Sequence, residues 1–272
     1  MSAPDQAQKA AAFLALHHAD APLLLPNPWD AGSARILASL GFSALATTSA
    51  GFAGTLGRLD GGVTRDEVIE HARVICAATD LPVSADLENC FAPEPAGVAT
   101  TIALAIESGL VGGSCEDFTG ENDEIYDFGL AVERVTAAAE VAHSGPVKFV
   151  LTARCENYLH GRADFDDTVA RLLAFQAAGA DVLYAPGLNA TEDIRRLVDA
   201  VDRPVNVLAL PGTAPVAELA AIGVKRISVG SGFSNVALGA LVTAARELLE
   251  QGTYDFWATA MTGMVATHDA FS

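Results

Sequence analysis

Eight short apolar runs alternate along the chain with amphipathic stretches, and few folds accept that rhythm. The runs are Leu23-Leu24-Leu25, Ala44-Leu45-Ala46, Val83-Ser84-Ala85, Val111-Gly112-Gly113, Phe149-Val150-Leu151, Val182-Leu183-Tyr184, Val205-Asn206-Val207 and Ile227-Ser228-Val229. Seven helical patterns separate them, the clearest over 67–78, 96–107, 131–142 and 165–178. Ser108-Gly109, Gly179 and Gly223 read as helix C-caps, and Pro82 and Pro204 as strand starts. Eight strict strand and helix repeats predict an α/β fold of the (β/α)8 TIM-barrel type; a doubly wound sheet usually shows fewer strands and a glycine-rich first loop. No G-x-G-x-x-G or P-loop follows a strand, and the glycine-rich segment 51–57 is expected to be a mobile lid or loop. The 272 residues suit one barrel domain, 1–272, ending in a helical tail, 253–272.

Three runs pass straight from small or apolar residues into charge: Val83-Ser84-Ala85-Asp86-Leu87-Glu88, Gly113-Ser114-Cys115-Glu116-Asp117 and Val150-Leu151-Thr152-Ala153-Arg154. In a parallel barrel the carboxyl ends of the strands carry the chemistry. The other strand ends add Asn27 and Asp30, Thr47-Thr48-Ser49, Glu156, Asn206 and Ser231 to the same mouth. Strand residues two apart share a face, so Asp86 and Glu88 can reach one ion, and hard oxygen ligands favour magnesium or manganese over zinc. The alternative is that these acids salt-bridge Arg154 or cap helices. Converging buried carboxylates need an ion or several donors. The pattern points to an enzyme that seats a divalent metal and a small anionic substrate.

Thirty-four acidic against sixteen basic residues give a net charge of -18, which repels nucleic-acid and membrane phosphates, so neither is expected as a partner. A hydrophobic content of 51% with 18% charged residues leaves apolar surface for subunit contacts, and a homo-oligomer, dimer or tetramer, is expected. No signal-peptide pattern opens the chain and no run approaches the roughly 18 apolar residues of a membrane span, so a cytoplasmic protein is expected. Cys76, Cys90, Cys115 and Cys155 form no C-x-x-C pair, which suggests neither a disulfide framework nor a zinc knuckle. Alternation turns Cys115 and Cys155 away from Glu116 and Arg154, toward the helices. Cys90, in a loop beside an acidic strand end, is a candidate reactive thiol.

Taken in order, Asn27-Pro28-Trp29-Asp30-Ala31-Gly32-Ser33-Ala34, Thr48-Ser49-Ala50-Gly51, Asp60, Ser84-Ala85-Asp86-Leu87-Glu88, Glu116-Asp117, Ala153-Arg154, Gly187-Leu188 and Gly223-Val224-Lys225-Arg226-Ile227-Ser228 resemble the isocitrate lyase and phosphoenolpyruvate mutase superfamily across nearly the whole barrel. The resemblance implies a modified (β/α)8 barrel, usually tetrameric, whose last helix swaps onto a neighbour. The tail with Phe256, Trp257, Met261 and Met264 is similar to such a helix, the alternative being a helix packed on its own barrel. It further implies that Asp86 ligates magnesium directly, that Glu88 and Glu116 act mostly through bound water, and that Asp60 helps hold the water shell. Ser49, Ala50 and Gly51 would bind a substrate carboxylate through backbone N–H groups and the hydroxyl, and Arg154 would grip the same 2-oxo acid or its enolate. Tyr184, Asn189 and Asn206 are candidates for the variable end of the substrate, with barrel packing and loop hydrogen bonds as the alternative. Asp30 matches an acidic position in relatives or N-caps the helix starting at Ala31.

The departures bear on the reaction. Lyases of the superfamily carry a Lys-Lys-Cys-Gly-His lid after the fourth strand; here Phe118-Thr119-Gly120-Glu121-Asn122-Asp123-Glu124-Ile125-Tyr126-Asp127 is shorter, acidic and free of cysteine, histidine and lysine. Glu88 also replaces the usual aspartate. The favoured expectation is a magnesium-dependent lyase acting on a small 2-oxo or 2-hydroxy dicarboxylic acid through an enolate, by C–C cleavage or decarboxylation, because carbon dioxide departs without protonation. Phosphorus–carbon chemistry on phosphonopyruvate is the runner-up, handicapped by Glu121, Asp123 and Glu124. A non-catalytic metabolite-binding barrel is the third reading.

Overall fold

A computed structural model describes residues 4–272. Its strands are Leu23–Leu25 (β1), Leu45–Ala46 (β2), Val83–Ala85 (β3), Gly112–Glu116 (β4), Val150–Arg154 (β5), Val182–Tyr184 (β6), Val205–Leu208 (β7) and Arg226–Ser228 (β8). All eight lie where the apolar runs predict them, every ladder is parallel, and the order is β1-β8-β7-β6-β5-β4-β3-β2. The seam between β1 and β2 is bridged by Ala46 N donating to Pro26 O at 3.1 Å. Asn27 reinforces it: its Nδ2 donates to Thr47 O, and its Oδ1 accepts from the N–H groups of Val229 and Gly230. One side chain therefore ties the ends of β1, β2 and β8 into a (β/α)8 barrel.

The helices are Gln6–Leu16 (α1), Ala31–Ser39 (α2), Ser49–Thr55 (α3), Arg65–Ala78 (α4), Pro95–Glu107 (α5), Phe128–Ser144 (α6), Phe165–Ala177 (α7), Thr191–Ala200 (α8), Val216–Ala221 (α9), Gly232–Glu250 (α10) and Trp257–Phe271 (α11). Helix α1 plugs the amino-terminal end of the barrel with Phe13, which packs among Leu23, Leu25, Val150 and Val182. Gly112 makes room for it, since a Cβ there would stand 2.8 Å from the Phe13 ring. Outward-facing strand residues such as Leu151, Leu183, Val207 and Ile227 pack against Ile75, Ile102, Val135 and Phe175 of the helix layer. Cys115 and Cys155 belong to that outer core, as alternation requires.

Two expectations are corrected. The glycine-rich segment after β2 is helical as far as Thr55, capped by Thr48. Tertiary packing overrides glycine's poor propensity there: a Cβ on Gly51 would fall 2.6 Å from Thr48 Cγ2 and 3.1 Å from Trp29 Cβ. Cys90 is fully buried, its Sγ directed at Ser114 O, and its contact with Cys115 together with burial pushes the thiol well above its ordinary value, the opposite of a reactive cysteine. Asp30 is the N-cap of α2, accepting from Ser33 N at 2.6 Å. The tail leaves much apolar surface uncovered. Helix α11 packs on α2, with Phe271 over Gly32 and under the Arg35 guanidinium. Of the nineteen residues of α10, only Ser234 is buried, and Val236 and Leu241 are 70% and 63% exposed.

Candidate active site

Arg154, at the carboxyl end of β5, organises the mouth. Its Nη1 donates to Asp86 Oδ1 at 2.8 Å, its Nη2 to Glu116 Oε2 at 3.0 Å and its Nε to Glu156 Oε1 at 2.8 Å. The guanidinium also lies 5.4 Å from the centre of the Tyr184 ring. Acids from the ends of β3, β4 and β5 thus converge on one cation. Glu156 is the member that sequence reasoning placed at the mouth without giving it a role; its signal is the period-two spacing from Arg154, the same that links Asp86 and Glu88. Asp117 steadies Glu156, accepting from its N–H at 2.8 Å while pairing with the buried Arg171 of α7.

Asp86 is saturated with donors. Oδ2 accepts from Ser49 Oγ at 2.9 Å and Ser49 N at 3.3 Å, and Oδ1 accepts from Ser114 Oγ and Glu88 N as well as Arg154. Burial works to raise this carboxyl, but Arg154 and the Ser49 bonds outweigh it and hold it below the usual range. Glu88 differs. Burial, then the charges of Asp86 and Asp60, push it up to about 8, and its Oε1 is buried with no hydrogen-bond partner among the described residues. Burial also lifts Glu116 well above its ordinary value, with Glu156, Asp86 and Glu88 adding to the effect and Arg154 only partly opposing it. The mouth carries more negative charge than Arg154 alone neutralises, so without a further cation it holds on to protons.

The loop leaving β3 is bent to aim these acids. Glu88, Cys90 and Phe91 all have left-handed backbone, with φ of 49°, 59° and 53°, each a strain of about 1–3 kcal/mol that the surroundings must offset. Buried Arg134 of α6 supplies the clamp, donating to the carbonyls of Asn89, Ala92 and Pro93. Glu116 N donates to Glu88 O and Thr101 Oγ1 to Cys90 O. Opposite, the acidic loop after β4 forms a small hairpin bridged from Phe118 to Ile125, fastened by His160, which stacks on Phe118 at 3.8 Å and bonds Asp123 at 2.9 Å.

Two connected spaces open here. A cleft of about 1140 Å³ is walled by Asp60, Glu88, Glu116, Arg154, Glu156 and the acidic hairpin; a narrower cavity of about 220 Å³ descends the barrel axis past Ser49, Ala50, Asp86 and Arg154. Asp60 is exposed and borders both. Ser49, Ala50 and Gly51 form the first turn of α3. Ser49 N is committed to Asp86 and Gly51 N to Thr48 Oγ1, whereas the Ala50 N–H has no partner among the described residues. Asn206 lines neither space: β7 delivers Leu208 to the cavity wall, while Asn206 lies deeper, its Nδ2 donating to Ser228 Oγ at 3.0 Å. Its partner Ser228 does line the cavity, so Asn206 stands one side chain away from the space where a substrate contact was expected. Tyr184 does line the cavity.

For a divalent ion, the donor chemistry fits: Asp86, Glu88 and Glu116 offer hard oxygens, one of them unpartnered, in a region of surplus negative charge. Among the described residues no three acidic, histidine or cysteine side chains form a ready-made cage, because Arg154 stands between the carboxylates. An ion bound here would complete its shell with water or substrate oxygens.

Comparison with known proteins agrees with this architecture. The family model described as phosphoenolpyruvate phosphomutase matches residues 13–249. The crystal structure of a candidate lyase/mutase from Burkholderia cenocepacia J2315 is 53% identical, with a TM-score of 0.90, covering 92% of this chain and 91% of the other. The oxaloacetate decarboxylase of Paraburkholderia xenovorans LB400 is 30% identical over 262 residues, 84% of this chain and 85% of its own. A crystal structure of 2,3-dimethylmalate lyase, described as a PEP mutase/isocitrate lyase superfamily member, is 27% identical with a TM-score of 0.82, covering 91% and 89%. The barrel, its acidic mouth and these matches together make the chain a member of the phosphoenolpyruvate phosphomutase family, among the enzymes of the isocitrate lyase/PEP mutase superfamily.

Proposed function

We propose that the protein is a magnesium-dependent (or manganese-dependent) lyase that acts on a small 2-oxo or 2-hydroxy dicarboxylic acid through an enolate, by C–C cleavage or by decarboxylation of an oxaloacetate-like acid. The observation that carries the reading is the convergence of Asp86, Glu116 and Glu156 on Arg154 beside the unpartnered Glu88 oxygen. Breaking a bond next to a 2-oxo acid leaves negative charge on the former carbonyl oxygen, so the site must supply positive charge there. Arg154 provides it from a fixed position, its guanidinium oriented by three carboxylates. Ser49 Oγ and the Ala50 N–H would hold the adjoining carboxylate. Asp86, with Glu88 and Glu116, would hold the ion, and Asp60 its water; a bound divalent ion acts as a Lewis acid toward the same oxygen. The hairpin after β4 offers no thiol to protonate a departing group, which favours decarboxylation, and its Glu121 and Glu124 face the cleft, which disfavours a phosphonate dianion.

Oxalate, a planar mimic of enolpyruvate, is the direct probe. It should bind only with magnesium present and fail to bind Asp86→Ala, as read by calorimetry; metal-independent binding refutes the coordination scheme. Assay of oxaloacetate, substituted malates and phosphonopyruvate should release carbon dioxide or pyruvate, and phosphate release alone would overturn the lyase reading. We further propose a cytoplasmic homo-oligomer. No helix among the described residues is long and apolar enough to cross a membrane, and the bare apolar flank of α10 and α11 is suited to a second copy of the chain.

A further inference from the structure

Below Arg154 the barrel axis stays polar. Arg226 begins β8 with its side chain inside the barrel, 5% exposed, and its Nη1 donates to Thr152 Oγ1 at 2.8 Å. That is its one hydrogen bond among the described residues; it has no carboxylate within ion-pair distance there, and its Nε is buried without a partner. The two other buried arginines are answered, Arg171 by Asp117 and Asp167 and Arg134 by the carbonyls of the β3 loop. An unanswered buried guanidinium is expensive. Arg226 lines the cavity of about 220 Å³ together with Tyr184 and Ser228, and the opposite end of that cavity is Ser49, Asp86 and Arg154.

We infer that Arg226 is the floor of the substrate site and receives the second carboxylate of a dicarboxylic substrate whose first carboxylate and oxo oxygen lie at Ser49, Ala50 and Arg154. The inference rests on the reading of the mouth as a 2-oxo acid site and adds the residue that selects dicarboxylates. A planar guanidinium matches a carboxylate edge with two parallel N–H donors, and the Tyr184 and Ser228 hydroxyls flank that edge. A monocarboxylic acid would leave Arg226 unanswered.

The test is calorimetric titration, with magnesium, of oxalate, malate and lactate into the wild-type protein, Arg226→Gln and Arg226→Lys. Oxalate spans only the upper site, and malate differs from lactate by the second carboxylate. Wild-type protein should bind malate at least about 30-fold more tightly than lactate, the size of one charge-assisted hydrogen-bonded pair. In Arg226→Gln that preference should vanish while oxalate affinity stays within about 3-fold, and Arg226→Lys, which keeps the charge but loses the fork, should retain part of it. Oxalate binding with no malate preference in the wild type, or an unchanged preference in either folded variant, overturns the role of Arg226 alone. Failure of oxalate to bind wild-type protein overturns the oxo-acid reading and this inference with it.

Discussion

Replacing Arg154 with methionine removes the one cation that, among the described residues, pairs with Asp86, Glu116 and Glu156, and keeps most of the side-chain volume. Arg154 is 14% exposed and bonds all three acids at 2.8–3.0 Å, so the variant leaves buried acids unpaired. Stripping one partner from a buried ion pair costs about 3–5 kcal/mol, which for a domain of this length lowers the melting temperature by roughly 6–20 °C. The contribution of Asp86 to the pH dependence should also change sign, joining Glu88 and Glu116, which are already raised in the wild type. In the wild type Arg154 helps hold Asp86 below its ordinary value, so this contribution is present above the unfolded pKa and is lost as pH falls through the folded one. In Arg154→Met burial has no opposing cation; the folded-state values lie above the unfolded ones, and the stabilising contribution is present at low pH and lost as pH rises. The melting temperature of the variant should therefore approach that of the wild type as pH falls from 8 to 5, followed by circular dichroism without added metal. A variant within about 2 °C of wild type across that range, a shift worth less than about 1 kcal/mol, would refute the assignment of charge balance to Arg154.

Divalent-ion affinity should rise with pH, because Glu88, raised to about 8, must lose its proton before it donates to a cation. Titrations between pH 6 and 9 should show magnesium binding strengthen by about tenfold per pH unit up to 8 and then level, with Glu88→Gln losing one proton's worth of slope; an unchanged slope in the variant contradicts this role. The exposed face of α10 gives the remaining expectation. Val236→Glu with Leu241→Glu should shift sedimentation toward the monomer while the circular dichroism spectrum is retained, since both side chains stand free of the chain's own core; an unchanged mass places the subunit contact elsewhere.

The eight strands were legible because a strand buried on both faces has no polar alternation, and because the runs at Leu25, Ala85 and Val229 stop at Pro26, Asp86 and Gly230. Helix α3 was not. Seven residues with glycines at 51 and 54 read as a loop, and what makes them helical is the Thr48 cap and the close packing on Trp29 and Ser234, contacts distant in sequence. Asp86, Glu116 and Arg154 declared themselves as charges at the ends of apolar runs. Asn206 against Leu208 could not be decided the same way, because strand register and tilt set the depth at which a side chain meets the axis. Cys90 failed for a related reason: the left-handed backbone at Glu88, Cys90 and Phe91 folds the thiol inward, and no local pattern announces such a turn.

Branched aliphatic layers normally fill a barrel of this type. Here such packing is confined to the lower end, where Phe13 meets Leu23, Val150 and Val182, and above it Thr152, Tyr184, Arg226 and Ser228 replace it. Those polar residues contribute little transfer free energy, so the barrel depends on its outer layer, where α4 to α7 bury Ile75, Ile102, Val135 and Phe175 against the strands, each worth about 1.5–3 kcal/mol. The separation has a functional consequence. Because the fold is held together from outside and below, the axis is free to carry charge from the acidic mouth to Arg226, and on the proposed assignment the floor of the cavity can change without disturbing the carboxylates at its rim.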